Sequence, residues 1–109
     1  MKIAEVPFCV VDWASVSPTK HAGKTGEAFW RTFEKGNIRV RMVQYTPGYV
    51  ADHWCKKGHV LLVMEGELVI ELDDGRKFVL KAGSSYQVAE DINPHRSFTK
   101  TGARLFIVD

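Results

Sequence analysis

The sequence has few cysteines, no long apolar run and almost no excess of one charge. Its only cysteines are Cys9 and Cys55; a disulfide between them is possible, but a reducing cytoplasm disfavours it, and we expect both to remain thiols. The longest apolar runs reach about six residues, where a membrane helix needs about 20. The sequence therefore predicts a protein that does not span a membrane.

The charge balance and the first residues exclude two further classes. Fifteen Lys and Arg face thirteen Asp and Glu, the formal charge is +2, and the basic residues are scattered, so no nucleic-acid partner is predicted. The first residues lack the basic start and apolar stretch of a secretory signal, which predicts a cytoplasmic protein. With 45% hydrophobic and 26% charged residues, the 109-residue chain has the composition of one globular domain.

Helical periodicity is also missing, because strand-forming residues and glycines interrupt every apolar repeat of helical spacing. Short runs rich in β-branched and aromatic residues predict an all-β fold instead. The predicted strands are 6–11, 27–34, 37–46, 59–64, 67–72, 76–80, 84–88, 95–100 and 104–108. Turn sequences such as Pro47-Gly48 and Asp73-Asp74-Gly75 separate them. This pattern is typical of a sandwich or barrel.

A polar segment separates the first predicted strand from the others. Residues 12–26 have no clear apolar pattern, so they are predicted as a long loop or arm that Trp13 anchors. We therefore expect residues 1–36 to form an N-terminal strand, an arm and a strand that packs on a barrel of residues 37–109, all within one domain. His21, isolated in the arm, is interpreted as an ordinary surface or core histidine.

Alternation along the strands predicts which residues face inward. In strand 67–72, Leu68 and two further apolar residues share one face, which we expect to be the inner one. Val60, Leu62 and Met64 face the other way in strand 59–64 and need cover from the arm, from another sheet or from a second subunit; a homodimer would supply it. Arg39 and Arg41 share a face with Val43 and Tyr45; this face is interpreted as a solvated edge, the alternative being a clamp for an anionic substrate.

The strongest local signal is a cluster of metal-binding residue types. His53, Cys55 and His59 lie within seven residues, although the chain has only four histidines and two cysteines. Because these three positions share parity, an extended backbone directs their side chains to one face. Imidazole nitrogen and thiolate sulfur are ligands that late first-row divalent ions favour. The cluster predicts a transition-metal site.

The spacing of this cluster resembles the first motif of the cupin superfamily. That motif has a Pro-Gly turn, His-x-His, three residues, an acid, six residues and a glycine. Here Pro47-Gly48 precedes His53-x-Cys55, three residues, His59, six residues and Gly66. Cys55 replaces the usual second His, and His59 replaces the usual Glu, so the scaffold matches while the ligand set is altered.

A downstream segment resembles the second cupin motif, because Gly83 is followed a dozen residues later by His95. The run Asp52-His53-Trp54-Cys55, with Trp13 and Trp30 upstream, also looks like a small single-domain cupin family named for a DHCW motif, whose function is uncharacterised. The resemblance implies a jelly-roll barrel, a double-stranded β-helix, with an N-terminal arm. It also implies His95 as a fourth metal ligand beside His53, Cys55 and His59.

Several functions are compatible with these residues. The resemblance implies a divalent Zn, Fe, Ni, Cu or Mn ion, while the lack of a carboxylate ligand weighs against Mg and Ca. One hypothesis is a metal-dependent enzyme, an oxygenase or isomerase, acting on a small organic molecule; another is non-catalytic binding of the metal or of a small effector. A third is a structural barrel without metal. Tyr86 and Ser97 are the catalytic candidates, although each is also explained as a hydroxyl in the barrel wall.

Overall fold

Eight antiparallel β-strands and one short 3-10 turn, Trp13–Ser15, make up the secondary structure of the computed structural model, which describes residues 1–109. The strands are β1 (Thr19–Ala22), β2 (Glu27–Lys35), β3 (Ile38–Tyr45), β4 (His59–Leu72), β5 (Lys77–Lys81), β6 (Ser85–Val88), β7 (His95–Phe98) and β8 (Ala103–Val108). The predicted all-β jelly-roll architecture is confirmed. No helix has the length and hydropathy needed to cross a bilayer.

Strand β4 belongs to two sheets and holds the barrel together. Its first half pairs with β8 and β6, and its second half pairs with β5 and β7. The sheets therefore have the orders β1-β2-β3-β8-β4-β6 and β5-β4-β7. The sequence predicted two strands here, 59–64 and 67–72, but the chain forms one strand because a register shift between Val63 and Glu65 bends it without ending its pairing.

Gly66 makes this bend possible. Its φ is +79°, in the left-handed region that favours glycine, and a side chain at this position would collide with the carbonyl oxygen of Gly102. The chain can therefore pass from one sheet to the other while β4 stays close to the turn before β8.

The space between the sheets is filled by nine buried apolar residues. Their alternation along the strands follows the predicted parity, so the predicted inner face of β4 is confirmed. A fully buried leucine or valine contributes about 1.5–3 kcal/mol to folding. The core consists of Val43, Leu61, Val63, Leu68, Ile70, Leu80, Ala103, Leu105 and Ile107.

The N-terminal segment differs from the prediction. Residues 6–11 form no strand, because no neighbouring strand pairs with them, and Phe8 and Val10 are 96% and 83% exposed. The first residues are instead tied to the turn between β2 and β3, where the Asn37 side chain accepts from Ala4 N–H at 2.8 Å and donates to Lys2 O at 2.7 Å.

The first strand lies within the segment predicted as a loop. Strand β1 pairs with β2, and the pairing is supported by an ion pair between Lys20 and Glu27 at 3.3 Å and by His21 stacked on Trp30 at 3.8 Å. The polar composition of residues 12–26 concealed these cross-strand contacts. The other predicted strands agree with the structure to within two residues at each end.

Candidate metal centre

Cys55, His59 and His95 come together between the two sheets. His59 begins β4, His95 begins β7, and Cys55 lies in the loop before β4. The sulfur of Cys55 and one ring nitrogen of each histidine all lie within 4.8 Å of one another. The His59 side chain is 6% exposed and His95 is 2% exposed, so the cluster is shielded from bulk water.

The hydrogen bonding of His95 determines which of its nitrogens faces the cluster. Its Nδ1 lies 2.9 Å from the carbonyl oxygen of Asn93, and a carbonyl can only accept, so Nδ1 carries a proton. The Nε2 atom therefore presents its lone pair to the cluster when the ring is neutral. Metal-bound histidines in proteins are commonly oriented by such a hydrogen bond to a backbone carbonyl.

His59 cannot satisfy all its neighbours as a neutral ring. Its Nε2 lies 3.1 Å from Nε2 of His95 and 2.9 Å from the Tyr86 hydroxyl, while its Nδ1 is buried without a hydrogen-bond partner, 3.9 Å from Asp109 Oδ2. A proton on Nδ1 faces the carboxylate but leaves two Nε2 lone pairs opposed. A proton on Nε2 leaves an unprotonated Nδ1 facing Asp109. Two arrangements remove this conflict: a proton on each nitrogen of His59, or a metal ion bound by both Nε2 atoms while the Nδ1 proton of His59 faces Asp109.

The pKa shifts of Cys55 and His95 have the same origin. The hydrogen bond with His95 lowers the pKa of the Cys55 thiol, outweighing burial, which raises it. Burial lowers the pKa of His95, but hydrogen bonds with Cys55 and with the Asn93 carbonyl outweigh it and raise the pKa above its ordinary value. The cluster thus favours a thiolate and an added positive charge, which are the conditions that a bound divalent metal ion meets.

The donor set also fits a transition metal rather than a hard cation. One thiolate and two imidazoles match the ligands of zinc and other late first-row ions, and no carboxylate belongs to the cluster. Three protein ligands are also the number found at catalytic zinc sites, where a further position remains for water or substrate. The residues present therefore fit a resident transition metal.

His53 is not brought into this cluster. Its side chain is 74% exposed, and its Nδ1 lies 2.6 Å from Asp52 Oδ1. It nevertheless lines the cavity that contains Cys55, His59 and His95. The structure thus gathers three of the four predicted ligands, and ligation by His53 stays a prediction.

A cavity of about 140 Å³ adjoins the cluster. An engineered cavity of about 150 Å³ holds one benzene molecule, so this volume suits a small organic molecule. Three arginines, several aromatic side chains and Ser97 contribute to its lining, and no Asp or Glu does. Its polar or aromatic lining residues outside the cluster are Trp30, Arg39, Arg41, Tyr45, Tyr49, His53, Tyr86, Arg96 and Ser97.

Both catalytic candidates lie in this cavity. The Tyr86 hydroxyl contacts His59 Nε2 at 2.9 Å, and burial raises the pKa of Tyr86 well above its usual value. Ser97 lines the same cavity as Tyr45 and Tyr86, and its hydroxyl lowers their pKa values slightly against the larger effect of burial, which raises them. Tyr86 therefore stays protonated at neutral pH and can donate a hydrogen bond.

The interpretation of Arg39 and Arg41 as a solvated edge is wrong. Arg41 is 6% exposed, and both side chains line the cavity, because the face that they share with Val43 is the inner face of β3. Each contacts the buried carboxylate of Asp109, with Arg39 NH2 at 2.8 Å and Arg41 NH2 at 3.1 Å from Oδ2.

Sequence reasoning did not identify Asp109 as the partner of the two arginines. The only available signal was an acid directly after an apolar strand that alternates inward and outward, β8. The arginines could not be assigned to the inner face from β3 alone, because the opposite face carries Ile38, Val40 and Met42 and is the more apolar of the two.

Comparison with known proteins establishes the fold. A predicted oxalate decarboxylase from Thermotoga maritima superposes with a TM-score of 0.76 at 15% identity, over 92% of this chain and 96% of that one. A cupin-like protein from the same organism gives 0.71 at 18% identity, over 90% and 79% of the two chains. Fe(II)-HppE gives 0.76 at 14% identity, over 94% of this chain and 60% of that chain.

No protein-family model and no curated protein matches the sequence. The solved structures superpose on most of its length, and at identities of 14% to 18% this similarity is evidence for the fold and not for the activity. The antiparallel jelly roll, the cluster between its sheets and these structural similarities agree with one another. The chain is a small protein of the cupin fold.

Proposed function

We propose that the protein binds a divalent transition metal through Cys55, His59 and His95, with His53 as the predicted fourth ligand, and acts on a small organic molecule in the adjoining cavity. The observation that carries this proposal is the 3.1 Å approach of the His59 and His95 Nε2 atoms, each on a ring whose other nitrogen faces an oxygen. This separation suits one shared proton and equally two ligands of one metal ion, and the Cys55 sulfur beside the two nitrogens supplies the third ligand that favours a metal.

The identity of the metal follows from the donor types only as a class. Zn, Fe, Ni, Cu and Mn all accept a mixed thiolate and imidazole set, with Zn and Cu favoured by the sulfur. Fe(II)-HppE, by its name, is a protein of similar architecture that contains ferrous iron. When bound, the metal would act as a Lewis acid and keep Cys55 deprotonated. A cytoplasmic location, expected from the sequence, would keep this thiol reduced.

The cavity offers hydrogen-bond donors and lacks a carboxylate base. Tyr86 is held protonated beside His59, Ser97 adds a second hydroxyl, and Arg41 supplies a fixed positive charge. These groups can orient a substrate and stabilise negative charge that develops on it. A reaction in which the metal supplies the reactivity, as in an oxygenase, is therefore favoured over an isomerisation that needs a carboxylate to abstract a proton.

The alternative function is non-catalytic binding of the metal or a small effector. The absence of Asp and Glu from the cavity lining favours it as well, since no residue there is an evident general base besides the histidines. The two functions differ in the coordination sphere. If the protein is an enzyme, the metal has an exchangeable coordination position, and small acids should change the absorption spectrum of the Co(II) form. If the protein only binds the metal, none of these acids should change the spectrum.

Metal content tests the proposal. The protein is purified without added metal, loaded with a transition metal and desalted. Elemental analysis should then find one transition-metal ion per chain. His95→Ala should lose most of it, whereas His21→Ala should retain it, because His21 stacks on Trp30 outside the cluster. Equal metal content in both variants, or none in the parent protein, would overturn the proposal.

A further inference from the structure

The cavity beside the metal cluster has a positively charged wall. Arg39 and Arg41 both line it, and both contact the single carboxylate of Asp109. Arg39 forms two of these contacts, from Nε at 2.9 Å and NH2 at 2.8 Å, which engages both carboxylate oxygens. Two guanidinium groups thus share one carboxylate, and this part of the wall keeps a net charge of about +1.

Arg41 has unused hydrogen-bonding capacity despite its burial. Its side chain is 8% exposed, and its hydrogen bond is the 3.1 Å contact from NH2 to Asp109 Oδ2. Its Nε is buried and has no partner. The guanidinium lies 4.4 Å from the centre of the Trp30 ring, which holds it in place. The Nη1 group has no hydrogen-bond partner either and is not buried, so the guanidinium has donors left for a further acceptor in the cavity.

We propose that the cavity binds a small monocarboxylate. Arg41 binds its carboxylate group, and the rest of the molecule is directed toward the metal cluster. A planar guanidinium with free donors matches a carboxylate in shape and charge. A monoanion neutralises the net positive charge of the wall, whereas a phosphate dianion exceeds it. The cavity volume of about 140 Å³ limits the ligand to roughly the size of benzene.

This inference names a substrate class for the proposed metal site and rests on the proposed function for the orientation toward the metal. Arg41 and Cys55 line one cavity, so a carboxylate on the arginine places the remaining atoms of a small acid near the cluster. The arginine half of the proposal can be measured without metal. Carboxylate binding by Arg41 and metal binding by the cluster can therefore be confirmed or contradicted independently.

The test uses the full chain and propionate, with propionamide as the neutral ligand of matched shape and inorganic phosphate as the dianion. Binding is followed by NMR titration of the metal-free protein, and then by the visible absorption of the Co(II)-loaded protein. Arg41→Met removes the charge, and Arg41→Lys keeps the charge but removes the planar guanidinium with its paired N–H donors. Arg104→Met is the control. Arg104 is exposed on β8 and paired with Glu65, away from the cavity. Thermal unfolding checks that each variant is folded.

We expect propionate to bind the parent protein and Arg104→Met with the same affinity, and propionamide and phosphate to bind at least tenfold more weakly. Arg41→Met and Arg41→Lys should each weaken propionate binding by about tenfold or more. Equal affinities for propionate and propionamide, or unaltered propionate binding in folded Arg41→Lys, would overturn the carboxylate inference. If Co(II) fails to bind while the Arg41 effect is present, the metal proposal fails and the carboxylate subsite stands.

Discussion

Cys55 and His95 are joined by two backbone hydrogen bonds, from Cys55 N–H to His95 O at 2.7 Å and from His95 N–H to Cys55 O at 2.9 Å. Neither bond uses a side chain. The loop that carries Cys55 is thus fastened to β7 whether or not the thiolate binds a metal. The side chains can be altered one at a time while the backbone of the site keeps its geometry, which makes the ligands directly testable.

Metal binding should stabilise the fold strongly. At a free concentration about 100 times the dissociation constant, a ligand of the native state adds about 2.7 kcal/mol, which raises the melting temperature of a domain of this size by about 10 °C or more. Differential scanning calorimetry with Zn(II), before and after a chelator, measures this change. Mg(II) is the control, because the cluster has no carboxylate. The same increase with Mg(II), or none with any transition metal, would contradict the expected selectivity.

His53→Ala should weaken metal binding less than His59→Ala does. His53 is 74% exposed and must turn away from Asp52 before it can reach the cluster, whereas the His59 side chain is 6% exposed and already in place. Competition with a chromogenic chelator gives both affinities. Asp52→Asn removes the carboxylate that holds His53. Its metal affinity, compared with that of the parent protein, measures how far the Asp52 contact opposes ligation by His53. If His53→Ala costs as much affinity as His59→Ala, His53 is a full ligand in the metal-bound protein.

Asp109→Asn should lower the free energy of unfolding by about 3 kcal/mol at neutral pH, because the buried charges of Arg39 and Arg41 lose their counter-charge. Burial raises the pKa of Asp109, but the hydrogen bonds from Arg39, the nearby His59 ring and the charge of Arg41 outweigh it and lower the pKa below its usual range. A lowered pKa in the folded protein contributes stability above the unfolded value of about 4, and this contribution is lost as the pH falls toward the folded value.

The difference between Asp109→Asn and the parent protein should therefore shrink as the pH is lowered below about 4. Urea unfolding of the two metal-free proteins at several pH values measures the difference directly. Glu65→Gln provides the control, because Glu65 is exposed and faces Arg104 at 3.6 Å. A difference that stays constant from neutral to acidic pH would show that the Asp109 charge does not contribute.

The sequence predicted the strands of the barrel and the approach of Cys55 to His59 from local spacing and strand parity, whereas His95 was predicted only through the resemblance to the second cupin motif. It did not predict where His53 points, because a loop side chain is oriented by neighbours such as Asp52 that parity does not describe. The position of Arg41 was missed for another reason. Both faces of β3 carry apolar residues, so alternation separates the faces without showing which is buried.

The errors at the N-terminus have a similar physical origin. Residues 6–11 have the composition of a strand, but a strand needs a partner, and the edge of β2 is taken by β1 instead. The stacking of His21 on Trp30 and the Lys20–Glu27 ion pair decide that choice. These contacts join residues on different strands and leave no periodic signal in either one.

We propose that two copies of the chain associate through the outer face of β4. Val60, Leu62 and Met64 are 38%, 38% and 44% exposed there and lie side by side on one strand. Leu62→Glu should convert a dimer into a monomer in sedimentation equilibrium, because it places a charge in a buried contact. Val79→Glu, at a 60% exposed position on β5, should leave the dimer intact. A monomeric parent protein would contradict the proposal.

The most direct test of the metal centre is the absorption spectrum of the Co(II)-substituted protein. A thiolate bound to Co(II) gives an intense sulfur-to-metal charge-transfer band in the near ultraviolet, and imidazole nitrogens alone give none. We predict this band for the parent protein and for Cys9→Ser, whose cysteine is exposed and outside the cluster. Cys55→Ser should lose the band while remaining folded. A band that survives Cys55→Ser, or a parent protein that binds Co(II) without it, would contradict the assignment of Cys55 as a ligand.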